Sequence, residues 1–201
     1  MGAAKAIQQT FEKEHKGIKD SDYDYKALHR ERLISFRKEK TAVVRVDKPT
    51  NIAKARALGY KAKKGVIVVR VRVRRGSGAH LRPKNGRKPK RMGVTKLTRK
   101  INIRGIAELR ASKKYENCEA LNSYEIAKDG KHHYFEVILV NVSAPEIKSD
   151  KDLKWICEKT QKGRAERGLT SAGKKSRGLR KKGKGTEKIR PSLRAKGRKG
   201  K

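Results

Sequence analysis

The sequence predicts an α+β fold: a small four-stranded antiparallel sheet in the order β-α-β-α-β-β, with helices packed on it. A long basic loop and an extended basic C-terminal tail project from that core. Three observations carry the prediction. Residues 66–74 read VIVVRVRVR, a β-branched run that passes into strict Val/Arg alternation. Two further apolar runs, 119–127 and 132–140, flank Asp129-Gly130, a strong hairpin signal. Beyond residue 159, large apolar residues almost vanish while Lys, Arg and Gly dominate.

Taken in order, residues 3–14 form a short helix with Ile7 and Phe11 four apart on one side. A second helix starts after Ser21, which caps it with Asp24 three residues on. Tyr25, Leu28, Leu33 and Phe36 then share a side. Glu12, Glu14, Asp20, Asp22 and Asp24 bring this region, 1–40, closer to neutrality than the rest of the chain, so it is expected to pack against protein. Residues 41–46 (TAVVRV) make a short strand ended by Pro49, and Thr50 or Asn51 caps an Ala-rich helix that stops at Gly59.

In the strand that follows, Ile67, Val69, Val71 and Val73 share one face, and Val66, Val68, Arg70, Arg72 and Arg74 share the other. The three guanidiniums stand about 7 Å apart. No acid occurs between Asp47 and Glu108, so the row is expected to need negative charge from a partner; the alternative is a solvated arginine face. Residues 76–93 have no periodicity and many turn residues, which predicts a basic loop without a core. A helix is expected over 97–115, with Ile103, Ile106 and Ala107 on one face and Gly105 costing about 1 kcal/mol against Ala. The hairpin comes next, its second strand apolar enough for a sheet interior, and residues 149–157 add a short helix. The core thus spans 41–158. The tail, 159–201, holds eighteen Lys or Arg against two acids, and such a segment is expected to be disordered until a polyanion binds it.

A formal charge of +37 on 201 residues opposes a compact isolated state and points to a polyanionic partner, with nucleic acid the obvious one. With aromatics at 5%, base stacking is not the main source of affinity, so phosphate contacts with counterion release must dominate. Cys118 and Cys157 lie far apart, with neither a CxxC nor zinc-finger spacing, and read as ordinary thiols of a reducing compartment. No apolar run is long enough for a bilayer and no secretory signal opens the chain, so a soluble intracellular protein is expected, with no membrane partner.

Residues 168–176 (GLTSAGKKS) resemble a phosphate loop, but Lys175 stands where a magnesium-binding Ser or Thr is needed and no buried strand precedes it. The five histidines lie in unrelated segments without a carboxylate or Cys at useful spacing, and His132 and His133 point to opposite faces of a strand. Neither a catalytic group, a cofactor, a metal site nor a small-molecule substrate is expected. The candidate contacts are basic: Lys61, Lys63, Lys64, Arg70, Arg72, Arg74 and Arg75 on and before the strand; Arg82, Lys84, Arg87, Lys88, Lys90 and Arg91 in the loop; Arg164, Arg167, Lys174, Lys175, Arg177, Arg180, Lys181 and Lys182 in the tail. Arg holds phosphate bidentately and Lys acts as a point charge, both without reading sequence. The alternative is a generic solubilising or localisation tail; two separate basic extensions flanking one small sheet argue against it, since a localisation signal needs only a handful of residues.

GYKAKKGVIVVRVRVRRG (59–76), LNSYEI (121–126), FEVILV (135–140), IKSDKDLKWIC (147–157) and RGLTSAGKKSRGL (167–179) follow one another along the chain. In that order they resemble the eukaryote-type large-subunit ribosomal protein fifteen family, unrelated to the bacterial protein of the same number. The closing GKGTEKIRPSLRAKGRKGK is similar to its archaeal branch. The resemblance implies a cytoplasmic, non-enzymatic constituent of the large subunit. It also implies an α+β core on ribosomal RNA beside neighbouring ribosomal proteins, with extensions threaded among RNA helices. Glu125 departs from the family, whose members usually carry Trp after LNSY. Two readings from other classes stand beside this one. A chromatin-type DNA-compacting protein would share the basic, aromatic-poor composition, and an RNA-modifying enzyme would need a cofactor loop that the chain lacks.

Overall fold

The computed structural model describes residues 2–21, 23–95 and 97–180. Strand β2 (Val66–Arg74) lies inside a four-stranded antiparallel sheet of order β1-β2-β4-β3, between β1 (Val43–Val46) and β4 (His132–Asn141). β3 (Cys118–Lys128) forms the far edge and pairs with β4 as the predicted hairpin. The predicted alternation of β2 is realised: Val69, Val71 and Val73 are buried together with Phe135, Val137, Leu139 and Ala120. Helix α4 (Ile103–Lys114) closes that face with Ile103, Ile106, Ala107 and Ala111. Each Val or Leu removed from water here contributes about 1.5–3 kcal/mol.

Three smaller clusters cover the opposite face. Ala55 and Leu58, in and just after α3 (Ile52–Ala57), pack on Tyr124, Ile126 and Ile138. Ile147 of α5 (Pro145–Lys148) packs with Leu153 and Ile156 on Val140. Leu33 and Phe36 of α2 (Tyr25–Lys38) pack on Ala127 and Tyr134, the two rings 5.3 Å apart. Helix α1 (Ala3–Lys16) packs on α2 and α3. It stops at Gly17, whose φ of +64° is a conformation that costs glycine nothing.

Several expectations need correction. Asp24, not Ser21, caps α2, its side chain accepting from Ala27 N at 2.9 Å. Helix α4 starts at Ile103, not at 97, because Asn102 is extended and caps it by accepting from Gly105 N. Residues 149–157 are not one helix: α5 begins earlier, at Pro145, and a separate 3₁₀ turn covers Lys154–Cys157. The largest difference is at 159–180, expected to be an unstructured part of the tail. This segment folds through a 3₁₀ turn (Lys159–Gln161) into helix α6 (Ser171–Ser176), and Arg164, Ala165, Thr170 and Ala172 are buried. Composition misses this because the segment is held by hydrogen bonds and close backbone packing, not by bulky apolar side chains.

Candidate nucleic-acid interface

The inner end of the β2 arginine row is satisfied by the chain itself, contrary to expectation. Glu39, just past α2, accepts from Arg70 Nε at 3.0 Å and from Nη2, and the guanidinium lies over the Phe36 ring, 4.2 Å from its centroid. Only 15% of the Arg70 side chain stays exposed. Arg72 donates to the Glu39 carbonyl at 3.2 Å. The acid comes from upstream of β2, and folding α2 over the sheet delivers it. Beside Arg70 on the same face, buried Glu136 accepts from Thr50 N at 3.0 Å, from Thr50 Oγ1 at 2.5 Å and from the Tyr124 hydroxyl. Burial pushes its carboxyl above the usual range, against the pull of those bonds. Arg74, at the open end of the strand, is exposed and its side chain has no partner among the described residues.

The predicted basic loop leaves β2 through a pinned neck. Arg99, returning from the loop, donates to Gly76 O at 2.7 Å and to Arg74 O at 2.8 Å, and Arg75 donates to Asp129 O at 2.7 Å. Beyond the neck, Arg82, Lys84, Arg87, Lys88, Lys90 and Arg91 are all exposed, and none of their side chains has an acid or hydrogen-bond partner among the described residues. Lys64 is exposed and unpaired in the same sense. Lys61 and Lys63 are committed: Lys63 meets Asp150 at 2.6 Å, and Lys61 meets both Asp150, at 3.6 Å, and Asp152. The Lys63 hydrogen bond, with the Asp152 N–H and the Lys61 charge, holds Asp150 at about 2.

Two buried carboxylates seat the third group. Glu119 of β3 accepts from Gly163 N at 2.7 Å and Arg164 N at 3.1 Å. Glu108 of α4 accepts from Ser123 Oγ and Thr170 Oγ1, each at 2.5 Å. Arg164, a predicted contact, is buried; it donates to Ala120 O and Gln161 Oε1 and covers the Trp155 ring. Gly168 and Gly173 lie in backbone contact, so a Cβ on Gly173 would sit 2.5 Å from Gly168 Cα. The phosphate-loop look-alike is thus a packing device. Arg167 and Arg177 are spent on nearby carbonyls, whereas the side chains of Lys174, Lys175 and Arg180 are exposed without partners. Lys181 and Lys182 lie outside the described residues. Lys175 and Arg180 share an open cleft of about 720 Å³ with Gly76, Leu97, Arg99 and Arg104, so the loop neck and α6 converge. Glu125 lies on the same cleft and, against the expectation for the histidines, meets His133 Nδ1 at 2.7 Å.

The ribosomal L15 family model matches residues 4–196 of the chain. The chain belongs to the ribosomal L15e family. It is 57% identical over 171 residues to the large ribosomal subunit protein eL15 of Methanocella arvoryzae, which covers 85% of this chain and 87% of that protein. Membership in L15e makes the chain a structural, cytoplasmic component of the large ribosomal subunit in translation, and gives the DNA-compacting alternative no support. No helix among the described residues is long and apolar enough to cross a membrane, and no cluster of metal-ligating side chains occurs among them. Sequence reasoning missed three arginines of this L15e chain. Arg99 pins the loop neck, Arg104 binds Asn122 and Ser123, and Arg110 donates to Arg72 O. Their signal was weak, since each stands in or beside an amphipathic helix where a solvated Arg is unremarkable.

Proposed function

We propose that the chain binds and stabilises large-subunit ribosomal RNA through its phosphate backbone. The observation that carries this reading is the set of six uncommitted loop cations beyond a pinned neck. Arg74, Lys174, Lys175 and Arg180 extend that set on the neighbouring surface, Lys64 adds an uncommitted charge at the opposite end of β2, and Arg75, Arg167, Arg177, Lys61 and Lys63 add charge while holding protein contacts. Arg70, Arg72 and Arg164 act mainly by shaping the surface. Lys181 and Lys182 continue the series along the chain. A-form RNA presents phosphates and 2′-hydroxyls instead of a readable major groove, which suits cations that do not read sequence. Neighbouring large-subunit proteins are the second class of partner.

Replacing all six loop cations by Gln is expected to weaken binding to large-subunit RNA and to reduce the slope of log K against log salt by up to about five. Filter binding across a salt series measures this, and an unchanged slope sinks the reading. Equal affinity for duplex DNA would argue against RNA as the specific partner.

A further inference from the structure

Trp155 is the chain's only tryptophan and stays 37% exposed. It is nevertheless fixed in place. The Arg164 guanidinium covers one face, 4.5 Å from the ring centroid, and the indole N–H donates to Asp152 O at 2.9 Å. Arg164 is itself immobilised by the Ala120 carbonyl and Gln161. The ring lines an open cleft of about 480 Å³ with Lys148, Lys151, Lys154, Cys157 and Glu158. All three lysines are exposed and lack an acid partner among the described residues, because Asp150 and Asp152 are taken by Lys61 and Lys63. Glu158, the acid on the rim, accepts from Thr160 Oγ1.

We propose that Trp155 is a stacking platform for one unstacked base of the bound RNA, with Lys148, Lys151 and Lys154 meeting the phosphates on either side of it. An exposed indole by itself suits a base or a protein side chain. Three uncommitted ammonium groups around it favour the nucleotide, which offers a π-face and flanking negative charge together. The ring is already ordered, so binding costs little further side-chain entropy. In a chain poor in aromatics, one such platform fixes the position of a single strand while phosphate contacts supply most of the affinity. This inference rests on the RNA-binding reading above.

Because Trp155 is the only indole, its fluorescence reports this site alone. The full chain is titrated in parallel with a short single-stranded adenosine RNA and with inorganic polyphosphate. Both bind, but only the RNA is expected to quench the emission. Trp155→Ala is expected to weaken binding of that RNA roughly 5- to 150-fold. Trp155→Tyr, which keeps a ring over Arg164, restores most of the loss and separates stacking from misfolding. Equal quenching by polyphosphate, or RNA binding with unchanged emission, overturns the platform and leaves the RNA-binding reading standing. No binding of any RNA overturns both. Ultraviolet irradiation of assembled large subunits should join Trp155 to a nucleotide, and an adduct to a protein overturns the assignment in favour of a protein partner.

Discussion

Replacing Arg70 by Gln removes the ion pair to Glu39 and the stack on Phe36 together, and leaves Glu39 facing a largely buried gap. The expected cost is about 1–3 kcal/mol in urea denaturation. The salt dependence of RNA binding should stay nearly unchanged, the opposite signature to that of the loop cations. Arg74→Gln should do the reverse, flattening the salt slope by about one with little change in stability. Both residues stand on one face of one strand, and the sequence placed them there correctly. What separates them is Glu39, 31 residues before Arg70, and no periodicity encodes a contact at that distance. The side-chain face was therefore legible, while the partner of each side chain was not.

At the scale of elements, the strands, the hairpin turn and the cap of α3 by Asn51 were readable because alternation, Asp-Gly and Asx capping act locally. The segment 163–180 was not, because what orders it is reciprocal. Its N–H and hydroxyl groups satisfy Glu108 and Glu119, and a buried carboxylate without donors would be costly. Gly173→Ala tests how tightly this seat is made. A methyl 2.5 Å from Gly168 Cα meets backbone that cannot swing aside, so α6 should lift from α4. Limited proteolysis with mass spectrometry is expected to show new cleavage within 163–180 while the sheet stays protected. An unaltered digestion pattern would mean that the two backbones separate at little cost.

For the molecule as a whole, acid stability should follow two carboxylates. Burial pushes Asp129 up, but the N–H groups of His132 and Lys131, with Arg37 and Tyr134, outweigh it and hold the group at about 2. Asp150 is held at about 2 by Lys63, the Asp152 N–H and Lys61. Both lie below the ordinary 3.8, so their contribution is complete above about pH 4 and is lost as the pH falls through 2. Urea midpoints measured from pH 5 downwards should decline across that window, and Asp129→Asn with Asp150→Asn should flatten the decline. A drop that persists unchanged in the double variant would assign acid sensitivity to other groups. Net charge was legible in full from composition, but not its division into charges that brace the fold and charges left over.

The pinned neck carries one more consequence. Arg99 closes the loop against the carbonyls of Gly76 and Arg74, and residues 77–80 beside that clasp line a cleft with Ile101 and Ile106, whereas residues 81–91 are exposed apart from the half-buried Pro83. Closing a flexible excursion costs only about 0.6 kcal/mol more for each doubling of its length. The exposed stretch 81–91 can therefore lengthen, shorten or change composition with small penalty to the core. It behaves as an exchangeable insert, whose reach can be adjusted to the distance it must bridge while the body of the protein stays constant.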